Sequence, residues 1–249
     1  MVKFSNANTK LKRLYQIPEL GKFLVKRKIY SFDLLSGHSC PFASKCLSKA
    51  VVTDEGRRIQ DGPKTEFRCY SASQEVLFTG ANNLRKGNFD ALRGKSKKEI
   101  FSSLEAALPK NAGIVRLHSA GDTFSQDYFD AWLGLAISRP DILFYAYTKA
   151  LPYWVNRISM IPNNFILTAS YGGRKDEMIE TYGLRSVKVI NHPDEANGLE
   201  IDHTDEHACR PSLINKDFCL LAHGIQPIGS KAAAGIKRMK SEGIEFSYS

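Results

Sequence analysis

No stretch of this 249-residue chain is long and apolar enough to cross a bilayer as a helix, which takes roughly 18–20 uncharged residues. The best run, Ile142 to Thr148, has the length of a strand. The basic amino terminus lacks an apolar signal core, so the expectation is a cytoplasmic protein without membrane contact. There is no internal repeat and no Pro/Gly/Ser-rich linker. Cysteine is sparse, five residues in all, and an odd count without a signal peptide fits a reducing compartment rather than a disulfide scaffold. Hydrophobic residues at 43% and charged residues at 24% exclude a disordered or low-complexity chain. The length allows one large domain or two small ones. With no linker the reading is one α/β domain over residues 1–249. It divides into a basic helical amino-terminal segment (1–28), a β/α core (29–192) and a Cys/His-containing carboxyl-terminal segment with a tail (193–249).

Negative charge is in deficit, 26 acidic against 35 basic side chains, a net of +9. The excess is one-sided. Residues 1–110 hold 21 basic and 10 acidic side chains, a net of +11; residues 111–249 hold 14 and 16, a net of −2. Clusters stand at Lys10, Lys12 and Arg13, at Lys22, Lys26, Arg27 and Lys28, and at Arg93, Lys95, Lys97 and Lys98. Such a field attracts polyanions, nucleic acid first among them, although simple solubility accounts for it equally well.

What the chain does have is alternation. Strands are expected at Ile29–Leu35, Gly113–Ser119, Asp141–Tyr147, Asn164–Ser170 and Ser186–Asn191. Helical stretches fall between them, near Ser71–Leu77, Lys97–Leu108, Tyr153–Ser159 and Lys175–Tyr182, with one capped by Ser125 and running to Ser138. Strands alternating with helices predict parallel βαβ units, wound by right-handed crossovers into a partial, open β/α barrel of about five or six strands.

In such folds the working site lies at the carboxyl ends of the strands. There the sequence places His118, Gly121 and Asp122, then Lys149, then Tyr171, Gly172 and Gly173, then His192. His118, Asp122, Lys149 and His192 are the candidates for proton transfer and substrate hydrogen bonding. Gly121, Gly172 and Gly173 would admit a phosphate or cofactor, with Tyr171 beside them. Any one of these residues can simply end a strand or cap a helix; a run of five strand ends points to a shared cleft.

The first three cysteines form a Cys-x5-Cys-x22-Cys pattern, Cys40, Cys46 and Cys69, beginning in the loop after the first strand with Lys45, Lys49 and Arg68 nearby. Positive neighbours favour thiolates, which bind zinc or iron–sulfur clusters. Three cysteines on a four-iron cluster leave one iron open, whereas a fourth ligand, Cys209, Cys219 or His38, would close a structural iron or zinc site. Buried free thiols are the plain alternative. The Cys-x3-Cys-x2-Cys arrangement of classical radical S-adenosylmethionine enzymes is absent. His203 to His223 carries three histidines and two cysteines; Pro211 and acidic neighbours suggest a loop.

The runs SGHSCPFASKCLSKA (Ser36–Ala50), FRCYSASQE (Phe67–Glu75), RLHSAGDTFSQDYFDAW (Arg116–Trp132) and DFCLLAHGIQPIGS (Asp217–Ser230) resemble the phage and plasmid family called gene product 88 over most of the chain. The resemblance implies a protein of the host bacterial cytoplasm. It also implies a metal or iron–sulfur centre on Cys40, Cys46 and Cys69, with Cys209 and Cys219 from the later segment. A strand-and-loop order similar to radical S-adenosylmethionine enzymes adds S-adenosylmethionine as a cofactor. Related sequences carry CxxC near the end where this chain reads Cys219-Leu-Leu-Ala222, which leaves a second cluster incomplete. The family implies no particular reaction.

The expectation is an iron–sulfur α/β enzyme acting on a nucleotide or nucleic acid. The competing readings are a non-catalytic nucleic-acid-binding protein with a structural metal site, and an inhibitor of a host protein.

Overall fold

Short runs rich in β-branched and aromatic residues become strands in the computed structural model, which describes residues 1–244. The end of the expected tail, 245–249, lies outside the described residues. The strands are β1 (Ser5–Asn6), β2 (Lys28–Phe32), β3 (Ser48–Thr53), β4 (Gly56–Asp61) and β5 (Ala112–Leu117). They continue with β6 (Leu143–Thr148), β7 (Phe165–Ser170), β8 (Ser186–Ile190), β9 (Glu200–Ile201) and β10 (Phe218–Leu221). Eight of them make one sheet in the order β1-β2-β5-β6-β7-β8-β10-β9, while β3 and β4 pair apart as an antiparallel hairpin. Within the large sheet β1 is antiparallel to β2 and the other pairings among the described residues are parallel.

The helices are α1 (Thr9–Lys12), α2 (Gly21–Leu24), α3 (Tyr70–Leu77), α4 (Thr79–Leu92) and α5 (Lys97–Ala107). They are followed by α6 (Gln126–Ser138), α7 (Leu151–Val155), α8 (Glu177–Thr181), α9 (Glu206–Cys209) and α10 (Lys231–Ser241). Ser125 caps α6 as expected, its hydroxyl accepting the Tyr128 N–H at 3.2 Å. Ser96 and Glu99 close a capping box on α5.

A parallel sheet is covered on both faces, which is why its strands read as unbroken apolar runs. All six residues of β5 and of β7 are buried. Successive side chains alternate between two clusters. Val115, Leu117, Phe144 and Leu167 pack with Ile100 and Leu104 of α5 and Trp132 of α6. Ile114, Leu143, Tyr145 and Ile166 face Leu11, Leu14 and Leu20 of the amino-terminal segment and Ala208 of α9. Each fully buried large side chain stabilises the fold by about 1.5–3 kcal/mol.

The five expected strands are all present within one to three residues. Three elements depart from expectation. The segment His203–His223, read as a loop, supplies α9 and the four-residue strand β10, so the sheet gains a further parallel strand. The Gly/Ser/Cys-rich loop after the first strand hides the β3–β4 hairpin. The short helix expected at Tyr153–Ser159 begins earlier, at Leu151, because Pro152 sits in its first turn where its missing N–H costs nothing.

Candidate functional site at the carboxyl rim of the sheet

β2 leaves the sheet at Asp33 and runs into the loop that carries Cys40 and Cys46. Gly37 turns this loop at φ +68°, and a Cβ there would collide with the Ser48 carbonyl. The far end of β7 pins the loop. The Ser44 and Lys45 amides donate to the Gly172 carbonyl at 3.2 and 2.9 Å, and the Arg174 amide donates to the Phe42 carbonyl at 2.8 Å. The β3–β4 hairpin then returns the chain, held by the Arg68–Asp61 ion pair at 2.5 Å, and delivers Cys69 to the N-cap of α3.

Cys40, Cys46 and Cys69 are therefore neighbours, close enough to act on one another's charge. Burial, then Asp122, Cys69 and Cys46, push the Cys40 thiol well above its usual range, against the Gly37 amide that donates to it. Burial, then Cys46, raise Cys69, opposed by the Ser71 and Ala72 amides at the start of α3. Among the described residues no three His, Cys, Asp or Glu side chains are gathered as ligands of one metal ion.

Asp122 stands beside these thiols at the end of β5. It is buried and accepts the Thr148 hydroxyl at 2.6 Å, the Lys149 amide at 2.8 Å and the Thr123 amide at 2.7 Å. Burial nevertheless raises its pKa. The Lys149 ammonium, also buried, donates to the Ser170 hydroxyl at 2.6 Å. Asp122, Lys149 and Ser170 thus link the ends of three neighbouring strands.

His118 follows β5 at φ +63°, a left-handed conformation that an L-residue adopts at a cost and that tends to mark functional positions. Its Nε2 meets the Tyr128 hydroxyl at 2.9 Å, and its Nδ1 has no protein partner. Burial, then the Arg116 cation, lower its pKa to about 3, so at neutral pH it is an uncharged imidazole. Two strand positions earlier, Arg116 pairs with Asp205 at 2.5 Å. Asp205 also holds Lys10 at 2.7 Å and accepts the Tyr145 and Tyr147 hydroxyls at 3.1 and 3.3 Å. Burial works against the Asp205 charge, yet Arg116 and Lys10 bring its pKa down to about 2. A cavity of about 550 Å³ opens over this group, lined by Lys10, Ser73, Arg116, His118, Ser119 and Ser170 among others.

The other expected residues lie elsewhere or are otherwise engaged. His192 caps the turn Pro193–Ala196 and pairs with Glu242 at 2.8 Å. The Gly172 and Gly173 amides both donate to the Asp176 carboxylate at 2.8 Å, so the chain fills that anion seat itself. Tyr171 lies under the Lys188 ammonium at 4.6 Å. Gly121 is a point of close backbone approach: a Cβ there would stand 2.5 Å from Ser39 Oγ and 2.7 Å from Leu34 Cβ. Cys209 is packed into the cluster with Tyr145 and Phe218, and Cys219 into a separate one with Ile190 and Met239. His207 pairs with Glu200, and His223 lies 4.7 Å from the Tyr70 ring. Of the basic residues, Lys10 turns inward to Asp205. Lys22 and Lys26 are exposed just before β2 and Lys28 at its first position, whereas Lys95, Lys97 and Lys98 are exposed at the start of α5, which runs back against the strand it feeds. The two exposed groups therefore sit at opposite ends of the parallel strands.

Arg116 and Asp205 escaped sequence reasoning. A lone Arg inside the apolar run GIVRLHS is a readable signal, since a charge in a buried strand needs a partner. Nothing local marks Asp205 as that partner.

Fold and site define a mostly parallel α/β protein with three neighbouring thiols at its rim and an open cavity lined by both polar and apolar side chains. The chain belongs to the gene product 88 family, whose family model matches residues 2–240. No curated protein and no solved structure matches it.

Proposed function

We propose that this chain is an iron–sulfur enzyme in which β2, β5, β6, β7, β8 and β10, side by side in that order in the sheet, curve as an open β/α barrel and Cys40, Cys46 and Cys69 hold a four-iron cluster at its mouth. One observation carries the reading: three thiols, two from one loop and one at a helix start, come within electrostatic reach of one another on the carboxyl rim, where the backbone amides of Gly37, Ser71 and Ala72 favour the thiolate form. Hydrogen bonds of this kind stabilise thiolates and tune cluster potential. Bound there, such a cluster supplies one-electron chemistry. Three cysteines leave one position for a co-ligand, and S-adenosylmethionine is the candidate. The chain's own residues hold the site in shape: Gly172 anchors the cysteine loop, Asp122 fixes the ends of β5 and β6, and Lys149 ties β6 to β7.

Anaerobic reconstitution with iron and sulfide tests this. The expected product binds about four irons and four sulfides per chain and shows visible charge-transfer absorption, which S-adenosylmethionine perturbs. Cys40→Ala, Cys46→Ala and Cys69→Ala each abolish the absorption, while Cys209→Ala and Cys219→Ala retain it. A colourless protein without bound iron, or loss of the cluster in the last two variants as readily as in the first three, overturns the assignment.

A further inference from the structure

Among the described residues, nine buried side-chain nitrogen or oxygen atoms have no hydrogen-bond partner. Four of them, Ser73 Oγ, Arg116 Nε, His118 Nδ1 and Ser119 Oγ, belong to residues that line the single 550 Å³ cavity. Sixteen residues line that cavity, a small part of the chain, so the concentration is far above an even spread. Ser73, Arg116 and His118 are each more than nine-tenths buried. Buried polar groups are almost always satisfied, and a cluster of orphans around one cavity marks a place where something else completes them.

The chemistry of the lining selects what that is. Lys10 and Arg116, both in the lining, bring two cationic side chains to the cavity wall and share the Asp205 carboxylate behind it. No Asp or Glu lines the cavity. The Arg116 Nε–H and the hydroxyls of Ser73 and Ser119 are donors, and the acceptor-only oxygens of a carboxylate or phosphate take such donors best. Tyr70, Tyr147 and Leu220 supply ring faces and apolar surface for the rest of the molecule. The volume falls within the range for small-ligand sites.

We propose that this cavity binds a compact organic oxyanion, a carboxylate or phosphate monoester on a flat body, held through Arg116, Ser73 and Ser119. No thiol of the rim lines the cavity, so this site and the cluster stand or fall separately.

The test uses the full-length protein without added iron and three probes, benzoate, phenyl phosphate and the neutral benzyl alcohol, followed by ligand-observed NMR and calorimetry. At least one anion binds about tenfold or more tightly than the alcohol, and its affinity falls with rising salt; which anion wins distinguishes carboxylate from phosphate. Ser73→Ala and Ser119→Ala each weaken the anion by about tenfold, the worth of a hydrogen bond to a charged group. Ser73→Ala leaves the urea midpoint of the ligand-free protein unchanged or higher, because the hydroxyl it removes bonds to nothing there. If neither anion outbinds the alcohol, or if both serine variants bind as the wild type does, the proposal fails. A marked loss of ligand-free stability in Ser73→Ala also defeats it, since that hydroxyl would then serve the fold.

Discussion

Replacing Asp205 by Asn removes a fully buried carboxylate that two cations share. Asp205 is fully buried, with Arg116 at 2.5 Å and Lys10 at 2.7 Å, so the variant strands positive charge in a desolvated setting. Breaking a buried pair from one side costs about 3–5 kcal/mol, a large part of the roughly 5–15 kcal/mol that holds an ordinary domain folded. The pH dependence gives an independent measure. The folded pKa of Asp205 is about 2, below its unfolded value, so its contribution is complete above the unfolded pKa and is lost as pH falls toward 2. A depression of nearly two units corresponds to about 2–3 kcal/mol. Urea denaturation at pH 7 should show Asp205→Asn about 3–5 kcal/mol below wild type, and the gap should shrink by about 2–3 kcal/mol on going to pH 2. The double variant Arg116→Met/Asp205→Asn should recover part of the loss, because it no longer buries an unpaired guanidinium. A single variant within about 1 kcal/mol of wild type at pH 7, or a gap that does not change with pH, would refute the claim that Asp205 anchors this group.

His118 gives the complementary case. Its folded pKa of about 3 lies below the unfolded 6.5, so the unfolded chain takes up a proton first and stability falls as pH drops through 6.5. From pH 7 to 5 this one residue should remove about 2 kcal/mol. His118→Asn, which tolerates the left-handed backbone, should flatten that slope in chemical denaturation; an unchanged slope would show that the imidazole is not neutral in the fold. Gly121→Ala should cost about 2–5 kcal/mol, since φ +84° strains an L-residue and its Cβ meets Leu34 and Ser39. A wild-type melting temperature in that variant would mean the loop yields easily and the glycine is not needed for close approach.

The five central strands were legible in the sequence because they are largely buried, β5 and β7 throughout, and so read as runs of β-branched and aromatic residues, NFILTAS being the plainest. The Ser125 cap of α6 was legible for a local reason too, one hydroxyl meeting one nearby amide. β10 was not, because Phe218–Leu221 is only four residues long and sits in a polar, His-rich context that reads as a loop. The β3–β4 hairpin was missed likewise, its strands half exposed and charged.

For the site the division follows range. Composition and local pattern determined that the chain is α/β, that polar residues cluster at strand ends, and that Cys40, Cys46 and Cys69 are worth attention. Only the tertiary structure decided which of these meet. It sets the three thiols together beside Asp122, withdraws His192 to Glu242, and fills the Gly172–Gly173 amides with Asp176. It also joins Arg116 to a carboxylate 89 positions away in sequence. A strand or a cap depends on neighbours a few residues apart, which a sequence displays directly; an ion pair or a cavity depends on which distant segments the packed sheet brings within a few ångströms, and no local pattern carries that distance.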